Sequence, residues 1–400
     1  MRTSRPATPT LSDVSHPYRN VAIAGVFNTV QARSLPGHSS LSIAIEAAHG
    51  ALADAGLTVH DVDGLAGQFA SEMGMMLGRG PVSRKLTSLG IPAIIDAAAM
   101  IALGECEVVV AAAGGAGIYT ERSSTAPWTR PTNEFVASYG LFTAAEFALI
   151  ARRHMVMYGT TEQQLATVAA TIRNNGHVNP GAVFSGKGPF TADDVLASRM
   201  VADPFHLLDC SMVSEGGCAL VLVHADRVKD LRTPPAWILG AAGDLYGPAY
   251  QVAPSFDLGG RGEFGPNGVV GRRAAQISLR MGGLRVDDVD VGEFYDPFSF
   301  EIIRQLEAFG FCGEGEGGAF VDDGNIGPGG RLPVTTDGGT MSFSHAGINA
   351  QQFQRVIRGV EQIRGTCQTM QVPDAHVALC TNGGAGALFT DVMVIGKERP

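Results

Sequence analysis

Four hundred residues, 45% apolar and 17% charged, make a globular chain with enough material for two to three cores or one large α/β body. A formal charge of −10 argues against nucleic acid as a bulk electrostatic partner. No apolar run approaches the roughly 18 residues of a membrane span, so none is expected.

Met1 to Tyr18 is polar, contains Pro6, Pro9 and Pro17, and lacks an apolar stretch; it reads as a disordered tail and not a signal peptide. Asn20 to Val26 reads as a buried strand. Leu41 to Ala55 has apolar residues at helical spacing and is stopped by Gly56. Thr58 to Leu65 leads to a second strand, Ile94 to Leu103 to an Ala-rich helix closed by Gly104, and Glu107 to Ala113 to an apolar strand. Phe142 to Tyr158, Glu162 to Asn174 and Thr191 to Arg199 read as helices, the last with Thr191 as N-cap. Met212 to Val223 holds another strand, Asn349 to Ile363 a helix, and Val377 onward a strand ending in a Gly-rich turn. Strands alternating with helices across short Gly turns predict an α/β layered fold. Six cysteines (106, 210, 218, 312, 367 and 380) form no Cys-x-x-Cys pair, and most lie in apolar runs. They predict reduced, buried thiols in a cytoplasmic protein, with no zinc site.

The second half repeats the first. Ala47 to Asp63 aligns without a gap to Ala274 to Asp290, and Val108 to Gly117 resembles Val377 to Gly386, both with Gly-Gly-Ala-Gly. One α/β unit, duplicated and fused near Ala225 to Pro235, predicts a tail (1–18), a first half (19–230) and a second half (231–400).

Candidate chemistry gathers at the ends of elements in the second half. Tyr295-Asp296-Pro297-Phe298 follows a strand-like run. His345-Ala346-Gly347 comes after Gly338-Gly339 and before a helix. Cys380-Thr381-Asn382-Gly383-Gly384 lies where the last expected strand runs into its Gly-rich turn. In that order these motifs resemble the thiolase superfamily, more narrowly its sterol-carrier-protein-X-type members. Asp209-Cys210-Ser211, Ser214-Glu215-Gly216-Gly217 and Asn179-Pro180-Gly181-Ala182 add to the resemblance, which spans about residues 20 to 397. It implies a duplicated five-layer αβαβα fold and a coenzyme A thioester as substrate, with no covalently bound cofactor and no metal.

The departures from the family pattern direct the functional reading. Counting back from Gly104-Glu105, the family's nucleophilic Cys position falls on Thr87, and a Thr lacks the acidity that yields a thiolate near neutral pH. Tyr295 stands where the family carries Asn or His. Both features resemble the thiolase-fold steroid side-chain aldolases, which cleave a 3-hydroxyacyl-CoA by retro-aldol chemistry. The resemblance implies Tyr295 as general acid or base and His345 as donor to the thioester oxygen. Cys380, or a water near it and Asn382, would protonate the enolate. Asp296, Phe343, Ser344, Asn382 and Gly383 are expected to line the substrate site. Phe343 stands where those aldolases have Tyr, which leaves Tyr295 to act alone, or Ser344 or a water to substitute.

The readings left open are a steroid or aromatic acyl-CoA carbon–carbon lyase, a thiolase or acyltransferase with an unusual nucleophile, and a non-catalytic acyl-CoA-binding subunit. The subfamily also implies a homodimeric core joined by a small OB-fold, zinc-ribbon protein into a heterotetramer. Arg79, Arg84, Lys85, Arg152 and Arg153 are candidates for the coenzyme A phosphates.

Overall fold

The computed structural model describes residues 16–80, 82–86, 90–117, 142–245, 269–384 and 388–400. In the first half, β1 (Val21–Asn28), α1 (Ser40–Ala55), β2 (Gly64–Gly67), α2 (Ala70–Met76), β3 (Ser83–Lys85), α3 (Gly90–Ala102) and β4 (Val108–Gly115) follow one another. Helices α4 (Thr143–Tyr158), α5 (Glu162–Val178) and α6 (Ala192–Ala197) come next, then a small hairpin, β5 (Met200–Ala202) and β6 (Phe205–His206), and then β7 (Gly216–His224). The second half runs β8 (Ala236–Leu245), α7 (Arg272–Met281), β9 (Val291–Glu293), α8 (Ser299–Phe309), α9 (Gly317–Asp322), α10 (Gly347–Arg364), β10 (Val377–Gly384) and β11 (Phe389–Gly396).

Local chemistry sets the boundaries. Ser39 and Ser42 form a capping box at the start of α1, and Gly56 ends it in the left-handed region at φ 78°. Thr191 caps α6 as expected. The second expected strand is shorter than the sequence suggests. Val59–Asp61 is a 3-10 turn capped by Thr58, and pairing begins at Gly64. The expected tail is also shorter at its inner end: His16 Nε2 meets the Leu239 carbonyl and Tyr18 packs on the core.

Nine strands form one mixed sheet in the order β3-β2-β4-β7-β1-β8-β11-β10-β9. Its two halves are joined by antiparallel pairing of β1 with β8, Ala22 opposite Trp237. Helices α3 and α10 pack on each other and on strands of both halves, so they form the middle layer. The outer faces of the strands pack against α1 in the first half and α7 in the second, and α4, α5 and α8 join the same core around them. The αβαβα order expected from the sequence is therefore present, with the sheets continuous through β1 and β8.

The internal repeat is visible atom by atom. The Thr58 N–H donates to Asp61 Oδ2 at 2.9 Å, and in the second half the Arg285 N–H donates to Asp288 Oδ2 at 2.7 Å. Asp63 accepts the N–H groups of Glu107 and Val108; its counterpart Asp290 accepts those of His376 and Val377. A Cβ on Gly25 would strike the Ala51 carbonyl, and one on Gly240 would strike the carbonyl of Ser278, the residue aligned to Ala51. Both strands thus lie directly on their helices.

Candidate active site

The C-terminal ends of β9 and β10 converge with the N-terminal ends of α3 and α10. Tyr295 leaves the end of β9 with its N–H on Thr381 Oγ1 at 2.9 Å and its carbonyl accepting from Gln305 Nε2 at 2.7 Å. Its ring lies beside Gly383, where a Cβ would sit 3.4 Å from Cδ1, and the residue is buried. Backbone bonds to two neighbouring elements thus fix the phenol-bearing residue at the strand end.

Asp296 turns away and organises the loop that carries His345. Its Oδ1 accepts the Thr340 N–H at 2.8 Å and its Oδ2 the Met341 N–H at 3.2 Å, while its carbonyl accepts from Thr340 Oγ1 at 2.7 Å. These bonds hold Gly339–Phe343 as a single π-helical turn. Gly338 and Gly339 enter it at φ 103° and 57°, and a Cβ on Gly339 would collide with the Asp296 carboxylate, so the glycine pair is required by both conformation and space. Burial pushes the Asp296 carboxyl up to about 7, against the opposing pull of Arg355.

A buried ionic cluster backs the loop. Asp337 receives Arg355 in a bidentate pair, both contacts 2.8 Å, and its Oδ1 also accepts the Gly339 N–H at 2.8 Å. Glu293 accepts from Thr336 Oγ1 at 2.6 Å, and Arg358 donates to the same hydroxyl at 2.9 Å. Burial and the charge of Asp337 raise Glu293 to about 8. From the other side, Arg173 of α5 donates to the carbonyls of Leu208, Met341 and Cys210.

His345 is presented with a defined tautomer. Its Nδ1 lies 2.7 Å from the Met212 carbonyl, which can only accept, so Nδ1 carries the proton. Burial lowers the ring to about 4, against the hydrogen bonds to Met212 and Gln351 that raise it. The neutral ring therefore holds a lone pair on Nε2, where the sequence reading had cast it as a donor; it donates from Nε2 only after taking up a proton. A directed chain holds its backbone. The His345 N–H donates to Ser214 Oγ at 2.8 Å, the Ser214 and Ser344 hydroxyls are 3.2 Å apart, and Ser344 donates to Gln31 Oε1 at 2.7 Å.

Several expected site residues take other roles. Ser344 spends its hydroxyl proton on Gln31 and supports His345, so it is not the stand-in acid for Phe343. Phe343 is buried beside Gly181, and its carbonyl accepts the Val183 N–H. Asn382 donates Nδ2 to Gln352 Oε1 at 3.0 Å and accepts the Asp391 N–H on Oδ1 at 3.1 Å, which commits the amide within the fold. Cys380 lies mid-strand with Sγ directed at Gly359, about three turns into α10, and faces the helix–sheet core. Burial holds its thiol well above the usual range. Thr87 lies outside the described residues, although Gly90, which opens α3 just after it, is described. Among the basic candidates, Arg152 is tied to Asp203 and Glu162 and Arg79 to the Val62 carbonyl, whereas Arg84, Lys85 and Arg153 are exposed.

Sequence reasoning missed Gln352, Ser214, Gln31 and the Arg355–Asp337 pair. For Gln352 and Arg355 the signal was faint: amide and guanidinium groups at helical spacing along α10 look like a solvated face until the helix is known to be central.

Comparison with known proteins places this geometry. A family model described as "Thiolase C-terminal domain-like" matches residues 269–397. The chain is 34% identical to the 17-hydroxy-3-oxo-4-pregnene-20-carboxyl-CoA lyase of Mycobacterium tuberculosis, over 91% of this chain and 96% of that protein. It is 32% identical to the steroid side-chain-cleaving aldolase of Thermomonospora curvata, over 94% and 98% of the two. A solved Ltp2-ChsH2(DUF35) aldolase superposes with a TM-score of 0.82 at 32% identity, covering 94% of this chain and 98% of that one. Human mitochondrial 3-ketoacyl-CoA thiolase superposes at 0.69 with 13% identity, covering 95% and 99% and sharing the fold. The chain belongs to the thiolase superfamily, within its sterol-carrier-protein-like branch and beside the steroid side-chain aldolases.

Proposed function

We propose that this protein is an acyl-CoA carbon–carbon lyase that splits a 3-hydroxyacyl-CoA by retro-aldol cleavage. The observation that carries this reading is the place of the sulfur: none of the six cysteines stands at position 87, where the family carries its nucleophile. All six cysteines are free, and burial raises every thiol: Cys106, Cys210, Cys312 and Cys367 to about 12, Cys218 and Cys380 further. A thiolase needs a thiolate at neutral pH; retro-aldol cleavage needs only a base, an enolate site and an acid. The relatives named as lyase and aldolase support a steroid-like acyl group, with an aromatic one the alternative.

In this scheme the substrate hydroxyl replaces Gln351 at Nε2 of His345, and the Nε2 lone pair takes the β-hydroxyl proton. The oxygen becomes a carbonyl, the Cα–Cβ bond breaks, and its electron pair moves into the thioester as an enolate. The Tyr295 phenol protonates Cα, and the imidazolium returns a proton to the phenolate. The products are a ketone or aldehyde and a shorter acyl-CoA, and neither water nor free coenzyme A is consumed. Asp296 and the Asp337–Arg355 pair position the loop without touching substrate.

The chain is further read as a homodimeric core working with a small OB-fold, zinc-ribbon protein in the cytoplasm. The solved aldolase named for two components, Ltp2 and ChsH2(DUF35), supports a partner subunit. Among the described residues no helix is long and apolar enough to cross a membrane.

The test is turnover of steroid and aryl 3-hydroxyacyl-CoA and 3-ketoacyl-CoA, followed by mass spectrometry with and without free coenzyme A and with a neighbouring zinc-ribbon protein added. Cleavage of the hydroxy substrate without coenzyme A is expected. Cleavage of the keto substrate only when coenzyme A is present would replace the lyase by a thiolase. Binding with no turnover would leave an acyl-CoA-binding subunit.

A further inference from the structure

We infer that Gln352 is a positioning residue for the Tyr295 phenol, acting through Asn382 and Gly383 at the end of β10; this rests on the retro-aldol reading above. Gln352 sits in the first turns of α10 and is fully buried. Its Oε1 accepts the Gly90 N–H at 2.9 Å and Asn382 Nδ2 at 3.0 Å, while Nε2 reaches the Gly383 carbonyl at 3.5 Å. One carboxamide therefore ties the start of α3, from the first half of the chain, to the end of β10, against which the Tyr295 ring lies.

The arrangement is demanding. A buried amide is costly unless both its ends are satisfied, and here its partners are on the elements that converge at the site. The approach is close enough that a Cβ on Gly90 would collide with Gln352. On the sheet side Asn382 is anchored by the Asp391 N–H, and on the helix side by Gln352. Without the Gln352 bonds the end of β10 keeps its sheet pairing and loses its registration against α3 and α10. The ring that packs on Gly383 then loses its fixed wall.

The chemical setting of α3 gives the contact a second consequence. The first N–H groups of a helix are unsatisfied and carry partial positive charge. Here the Gly90 N–H is filled by the neutral Oε1 of Gln352. The N–H of Gly90 is thereby used to hold the end of β10 against which the Tyr295 ring lies.

The test is a double-mutant cycle on the full chain, with its partner if one is required. Wild type, Gln352→Met, Tyr295→Phe and the double variant are assayed for 3-hydroxyacyl-CoA cleavage. Gln352→Met keeps the side chain's length and removes both hydrogen-bonding ends. We expect kcat to fall about 10-fold or more with KM nearly unchanged, and the loss to shrink to nothing in the Tyr295→Phe background. An equal proportional loss in both backgrounds, or an unchanged kcat, overturns the inference. Gln352→Glu, which keeps an acceptor for Gly90 and Asn382, should fall between Met and wild type, and it serves as the test should the Met variant not fold. A Tyr295→Phe enzyme that turns over like wild type would instead sink the reading of Tyr295 itself. An impaired Tyr295→Phe beside an intact Gln352→Met would sink the role of Gln352 alone.

Discussion

Helices α3 and α10 share the middle layer, one from each half of the chain, and they are built differently. In α3 the buried side chains include Ile91, Ile94, Ala97, Met100 and Ile101. In α10, Phe353, Val356, Ile357 and Val360 are buried alongside Gln351, Gln352, Gln354, Arg355, Arg358 and Gln362. Burying such groups is costly and gains little stability over an apolar core. Their return is specificity of shape: the polar face of α10 grips the loop from Thr335 to His345 through Asp337, Thr336 and Gln31. One half supplies an apolar scaffold, and the other bears the groups proposed to react.

The strongest way to test that division is to remove chemistry from the second half without disturbing the scaffold. Tyr295→Phe and His345→Ala should each lower kcat by about 10²- to 10⁴-fold, the usual contribution of a positioned acid or base, with the far-ultraviolet spectrum and urea midpoint retained. The next effect is on folding. Arg355→Met leaves Asp337 buried without its bidentate partner and should cost about 3–5 kcal/mol in urea unfolding. On α3, Ile94→Ala should cost about 2–5 kcal/mol through the cavity it leaves, and that loss should be independent of pH.

Where the halves are alike, the effects should be alike. Asp63→Ala and Asp290→Ala each remove the acceptor for two backbone N–H groups and should destabilise by similar amounts, about 1–3 kcal/mol. A large difference between them would mean that the repeat is formal and not energetic.

The smallest net effect comes from a pair of opposed pH slopes, which offset each other between about pH 4 and 6.5. His345 in the folded chain titrates near 4 against an ordinary 6.5, so the unfolded chain takes up its proton first and this contribution to stability declines as pH falls from 6.5 to 4. Asp296, raised to about 7 from 3.8, binds its proton first in the folded chain, so its contribution declines as pH rises from 3.8 to 7. Urea midpoints between these limits should lose the first slope in His345→Gln and the second in Asp296→Asn.

Much of the scaffold was legible in the sequence because it follows local rules. The Gly56 stop, the Thr191 cap and the gapless match of residues 47–63 to 274–290 all reappear as contacts. The site was legible as a set of motifs but not as a set of directions. Nothing local shows that Cys380 points inward to Gly359, that Ser344 donates to Gln31, or that the Met212 carbonyl chooses the His345 tautomer. The Gln31 and Met212 contacts depend on groups more than a hundred residues away, and the Cys380 contact on a helix packed across the sheet. The same holds for Gln352, whose partner Gly90 is 262 residues distant.

The pairing of β1 also sets an order of events at synthesis. β1 is made early, yet the strands on either side of it, β7 and β8, come from far downstream; Thr29 meets Gly217 across 188 residues. At about 5–20 residues per second the ribosome needs roughly 10–40 s to deliver the first of them. For that interval an apolar strand has both edges unpaired, which makes it a template for other chains. Yield in a cell should thus depend on what shields Val21–Asn28 while the rest of the polypeptide is being made.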